Sequence, residues 1–270
     1  MSAIHNPLTA SLRLAAWCLW TLLFMLPYAL LLAASGRTAC RRAARWYWRG
    51  TAILLGFNVV VHGQPSAIRP SLFVANHVSY FDIVVLGSLL RAAFVAKREV
   101  AGWPGFGLIA KLGRTVFVDR RPRKSREQRD AMRARLGGER ESLILFPEGT
   151  SSNGNRVLPF KSALFSVAEQ VLHDGRSLTV QPISLAYTRL DGLPLGRNWR
   201  PLFAWYGDMA LAPHVWTAVG LGRLTVEVVF HPPVRLDQFP SRKALADYCQ
   251  DVVRRGVETA NAGRVPATAA

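Results

Sequence analysis

The sequence predicts an α/β fold, with a mostly parallel sheet flanked by helices and N-terminal membrane helices ahead of it. Three observations carry this expectation. Short runs rich in Val, Ile and Phe alternate with helix-like stretches from residue 71 to residue 255, the pattern of strands joined by crossover helices. A run of uncharged residues at 15–34 is long enough to span hydrocarbon. Half of the chain is hydrophobic and only 19% is charged, which supplies a core and excludes a disordered chain.

The run at 15–34 carries Trp17, Trp20 and Tyr28, with Pro27 inside it. A cleaved signal peptide is the weaker reading, because only Arg13 precedes the run and the run exceeds a usual signal core. Arg37, Arg41, Arg42, Arg45 and Arg49 follow, so the positive-inside rule puts the remaining chain on the cytoplasmic side of the inner membrane. Trp46, Tyr47 and Trp48 lead into an apolar stretch at 51–61. It reads as a second helix lying in the interface, as a short hairpin with the first, or as a helix buried in the soluble domain. The expected organisation is a membrane-anchoring segment at 1–62, an α/β domain at 63–260 and a flexible tail at 261–270.

Candidate strands lie at 71–75, 93–96, 115–118, 142–146, 179–184 and 223–230. Candidate helices lie at 80–90, 125–136, 162–172 and 241–255. Lys plus Arg number 34 against 17 Asp plus Glu, a net charge of +17 that predicts a polyanionic neighbour. After a membrane segment, the basic run from Arg121 to Arg135 reads as a surface riding on anionic lipid rather than as a solvated helix face, and no nucleic-acid partner is expected. Cys18, Cys40 and Cys249 show neither disulfide nor metal-ligand spacing, so no metal site and a reducing compartment are expected.

Chemistry concentrates in a few short stretches. In Asn76-His77-Val78-Ser79-Tyr80-Phe81-Asp82, His77 sits between a candidate strand and a candidate helix, at the sheet edge where open α/β folds bind ligands. Asp82 falls within the first helical turn. From there its carboxylate can accept the imidazole Nδ1–H, leaving Nε2 as a base toward a substrate hydroxyl. The bland reading makes Ser79 and Asp82 a capping box. A second stretch, Phe146-Pro147-Glu148-Gly149-Thr150-Ser151-Ser152, follows another candidate strand, and Gly149 allows a tight turn there. Glu148 can accept from a hydroxyl or meet a cation. The bland reading is an ordinary strand-end loop. A third stretch holds Lys97, the apolar and Gly-rich segment 103–107, and Arg120 at a strand end, suited to an anionic head group.

Taken in order, these stretches resemble the motifs of the lysophosphatidate acyltransferase-like family of glycerolipid acyltransferases. Asn76-His77 with Asp82 resembles its first motif. Lys97, Pro104, Gly113 and Val118-Asp119-Arg120 resemble the second, 146–150 the third, and Val180, Pro182 and Ile183 the fourth. The resemblance implies transfer of a fatty acyl group from acyl-CoA or acyl-carrier protein to a lysolipid hydroxyl, without cofactor or metal. It makes His77 the general base and Asp82 its orienter. Lys97, Arg120, Glu148, Gly149 and Thr150 are the residues expected at the acceptor's polar head. The implied partners are the lysolipid, the acyl thioester donor and the anionic membrane.

The expected acceptor is 1-acylglycerol-3-phosphate. One departure keeps a second acceptor open. Ser151 stands where many lysophosphatidate-specific members carry arginine, and lyso-ornithine lipid acyltransferases resemble this version. A membrane-tethered binder of anionic lipid or nucleic acid accounts for the charge but leaves the ordered motifs unexplained. A serine hydrolase is poorer, since Asn153 stands where the nucleophile elbow needs glycine.

Overall fold

A computed structural model describes residues 5–34, 37–103, 105–118, 130–138, 141–169, 172 and 175–264. Helix α1 (Pro7–Ala34) and helix α2 (Arg37–Leu54) form an N-terminal pair. Strand β1 (Phe57–His62) follows, then β2 (Ser71–Ala75), α3 (Phe81–Leu89), β3 (Ala93–Lys97), α4 (Phe106–Leu112), β4 (Val116–Val118) and β5 (Leu143–Leu145). The chain continues through β6 (Thr179–Leu190), β7 (Leu193–Pro194), α5 (Leu211–Val219), β8 (Leu224–Phe230), β9 (Val234–Arg235) and α6 (Arg242–Asn261).

The main sheet runs β1-β8-β6-β2-β5-β3-β4. Its neighbours pair in parallel except β6 with β8, and β7 and β9 also pair antiparallel with β6. The mostly parallel sheet is therefore present. β2 is buried throughout, and its alternate residues serve two cores: Phe73 and Ala75 on one face, Leu72 and Val74 on the other. The first core joins α3 and α5; the second joins α6 through Leu245, Cys249 and Val253.

The stretch 51–61, expected as helix, is a helix end followed by an edge strand. Gly56 has φ +80°, a left-handed conformation that ends α2 at Leu54 and turns the chain into β1. β1 lies within the segment assigned to the anchor yet pairs along its length with β8, so the sheet begins before residue 63. Among the other candidate helices, 162–172 is a 3₁₀ helix at Ser162–Glu169. The stretch 125–136 lies outside the described residues up to 129; the rest is helical, with a π turn at Ala134–Gly138. The expected tail is helical to Asn261, and its last six residues lie outside the described residues.

α1 is long and apolar enough to cross a membrane. Leu12, Leu19, Leu22, Leu23, Leu26 and Leu30 are exposed along it. It is also joined to the α/β domain. The Asn6 amide donates to Gly220 O at 2.9 Å. The Arg13 guanidinium donates to the carbonyls of Val219, Leu221 and Gly222 at 2.9, 2.6 and 3.1 Å, where the end of α5 leaves carbonyls unpaired. α2 is amphipathic, and its Arg45 and Arg49 donate through Nε to Ser88 O at the end of α3, at 3.1 and 3.2 Å.

Candidate active site

In a parallel sheet the carboxyl ends of the strands lie on one edge. β2, β3 and β5 accordingly bring His77, Lys97 and the loop 146–150 together. Asn76 fixes where β2 stops. Its side chain donates to Leu185 O at 2.9 Å and accepts from Leu185 N at 2.8 Å, adding one rung to the β2–β6 ladder.

His77 Nδ1 lies 2.7 Å from Asp82 Oδ2. Asp82 is fully buried. Its Oδ2 also accepts from the amides of Val78 and Ser79 at 2.7 and 3.0 Å, and its Oδ1 accepts from the Tyr187 hydroxyl at 2.6 Å. Four donors thus compensate the buried carboxylate. A carboxylate only accepts, so Nδ1 is the donor of this pair and Nε2 is left outside it. One Asp82 oxygen serves the Val78 and Ser79 amides and the imidazole together, while the expected capping box is incomplete: α3 has no side-chain cap from Ser79. The His77 ring stacks on Phe146, with centroids 4.3 Å apart.

Tyr187 was not found from sequence. It lies on β6, 105 residues from Asp82. Burial, reinforced by the Asp82 charge, raises its hydroxyl pKa well above the usual value and keeps it a donor.

Glu148 is buried behind the site. Its Oε1 accepts from the His77 amide at 3.2 Å, so it braces the His77 loop. Glu148 was expected at the substrate head group; in the structure it is only 2% exposed and lies outside the residues that line the cavity. Burial pushes its pKa up to about 8, Asp82 adds to the rise, and amide hydrogen bonds oppose it. The unfolded carboxyl ionises near 4.5. Between about 4.5 and 8 the unfolded state therefore releases a proton that the folded state keeps, and stability falls as pH rises. Glu148→Gln removes this loss. Its melting temperature, relative to the unaltered protein, is expected to rise steadily from pH 5 to pH 8; a constant difference across that range is the opposing result.

Gly149 has φ +69°, and a Cβ there would stand 2.7 Å from Lys161 Nζ. The glycine thus frees the turn and leaves the Lys161 amine its place. Ser151 Oγ donates to Trp205 O. Arg120 lies outside the described residues.

A cavity of about 940 Å³ opens at this edge, lined there by His77, Lys97, Gly149, Thr150, Lys161 and Trp205. It follows β3 along its five residues to Lys97, with Leu14 and Trp17 of α1 and Trp48 of α2 also lining it. Five strand residues give it a length of roughly 16 Å. Its walls are chiefly apolar, and Arg41, Arg114 and Glu141 stand at the amino-terminal edge of the sheet, with Arg41 Nη1 3.5 Å from Glu141 Oε1. Among the described residues no cluster of His, Cys, Asp and Glu could hold a metal.

The remaining described histidines have partners that spacing does not reveal. His62 Nε2 lies 3.2 Å from Glu227 Oε2 across β1 and β8. His231 Nε2 lies 2.7 Å from Ser184 Oγ, and burial, with Arg255 nearby, lowers its pKa to about 4. His214 Nδ1 lies 2.8 Å from the Tyr80 hydroxyl, beside the site.

Comparison with known proteins gives a consistent result. The family model described as Acyltransferase matches residues 58–186. A lyso-ornithine lipid O-acyltransferase of Brucella abortus is 42% identical over 227 residues, covering 83% of this chain and 85% of that protein. A protein of the same description from Rhizobium meliloti is 38% identical over 82% of this chain and 77% of its own length. A 1-acyl-sn-glycerol-3-phosphate acyltransferase of Neisseria meningitidis is 30% identical over 76% of this chain and 77% of its own length. The crystal structure of the 1-acyl-sn-glycerophosphate acyltransferase PlsC from Thermotoga maritima shares the fold, with TM-score 0.63 at 23% identity over 93% of this chain and 96% of that one. The chain therefore belongs to the glycerolipid acyltransferase family whose motifs its sequence resembles, and it is an O-acyltransferase acting on lysolipids.

Proposed function

We propose that the chain transfers a fatty acyl group from an acyl thioester, carried on coenzyme A or acyl-carrier protein, to the hydroxyl of a lyso-ornithine lipid at the cytoplasmic face of the membrane. The observation that carries the acceptor assignment is the set of relatives at 33–42% identity named for that lipid, against 30% for the Neisseria proteins named for the glycerophosphate. This reverses the order of acceptors drawn from sequence alone. Ser151 agrees with it: its hydroxyl is committed to Trp205 O, and the loop offers no arginine at that position for a phosphomonoester. The arginines of α2 support the cytoplasmic placement.

In this reading His77 Nε2 removes the proton of the acceptor hydroxyl as its oxygen attacks the thioester carbonyl. The new C–O bond forms, the C–S bond breaks, and the imidazolium returns the proton to the departing thiolate. Asp82 stabilises the imidazolium meanwhile. The thioester is already activated, so positioning supplies much of the remaining acceleration. The apolar cavity that α1 and α2 help to line receives an acyl chain, and Lys97, Gly149, Thr150 and Lys161 face the polar head.

The test is thiol release by membranes carrying the protein, with each donor and with each acceptor. Release with lyso-ornithine lipid is expected to exceed release with lysophosphatidate by at least about tenfold in kcat/KM, a 1.4 kcal/mol preference. Equal or greater release with lysophosphatidate restores the phosphate acceptor, and release without any acceptor points to a hydrolase.

A further inference from the structure

Three aromatic rings meet in the wall of the reaction cavity. Trp103 and Trp205 stand nearly perpendicular, with centroids 5.5 Å apart and planes at 85°. Tyr80 lies 6.0 Å from Trp205 at 63°. All three line the cavity that His77 lines, and each is half-buried.

Their orientations are fixed from behind. The Trp205 amide donates to Val78 O at 3.0 Å, its carbonyl accepts from Ser151, and its indole Nε1 donates to Met209 O at 2.8 Å. The Tyr80 hydroxyl is joined to His214 Nδ1, and burial raises its pKa, so the ring stays neutral. With its N–H committed to Met209, Trp205 has its π-system rather than a donor to offer a ligand. Perpendicular π-faces of this kind attract a cation and gain affinity by being held in place beforehand. Glu99, exposed, lines the same cavity and adds a negative charge. Lys97 and Lys161 line it too and supply positive charge.

Resting on the acceptor proposed above, we infer that Tyr80, Trp103 and Trp205, with Glu99, form a binding corner for the primary ammonium of a zwitterionic amino-acid headgroup. Lys97 and Lys161 take its carboxylate. A phosphomonoester gains nothing from π-faces beside a carboxylate, and an acyl chain gains nothing from Glu99. A head bearing both charges uses each wall.

Acceptor titrations with lyso-ornithine lipid and with the same lipid acetylated on its free amine test this. Acetylation keeps the hydroxyl, the carboxylate and the chain but removes the positive charge. The unaltered enzyme is expected to show a KM about tenfold higher for the acetylated lipid with kcat little changed. Trp205→Leu is expected to erase that preference, Trp205→Phe to recover most of it, and Glu99→Gln to reduce it several-fold. Should Trp205→Leu not fold, Trp103→Leu and the exposed Glu99→Gln decide. Preference retained in full by these variants, or equal KM values in the unaltered enzyme, overturns the corner alone. An unaltered enzyme that uses lysophosphatidate but not lyso-ornithine lipid overturns the acceptor assignment first, and the corner with it.

Discussion

His77→Ala is expected to lower acceptor-dependent thiol release by a factor of about 10² to 10⁴, the range that a positioned general base contributes. The imidazole is part of the cavity wall, with Nδ1 on Asp82 and its face on Phe146, so removing it takes away the base without opening the core. Its backbone contacts remain: the amide to Glu148 and the carbonyl to Ser152 N belong to the main chain. Recovery of the variant with membranes is therefore expected to be unchanged. Turnover within threefold of the unaltered enzyme would remove His77 from the chemistry.

Asp82→Asn is expected to cost activity by about 10²-fold or more and stability by only about 2 kcal/mol. One amide oxygen can still accept from Val78, Ser79 and His77. The amide nitrogen then faces Tyr187, whose hydroxyl can turn and accept. What disappears is the negative charge that stabilises the imidazolium. Thiol release normalised to folded protein, set beside thermal melting, separates the two effects. A variant that melts early yet keeps its specific activity would leave Asp82 only the start of α3.

Much of the sheet was legible because buried parallel strands read as continuous apolar runs, as in 71–75 and 142–146. β1 was not: its residues extend an apolar run already taken as helix, and the signal that separates them is the single Gly56. The two-residue strands β7 and β9 are too short to show a period. At the site, His77 and Asp82 were legible because five residues and one turn join them. Tyr187, Lys161 and Trp205 reach the site from distant elements, and no local spacing encodes such meetings. Glu148 was legible as a residue but not as a brace, because its burial depends on how the loop closes over it.

α1 carries leucines on its outer side and Leu14 and Trp17 on the cavity wall. A single helix is therefore both hull and ceiling. On the proposed function, hydrocarbon tails pass from a leaflet to the reacting carbonyl without traversing bulk water, and clipping this helix to obtain a detergent-free enzyme is expected to unroof the reaction chamber.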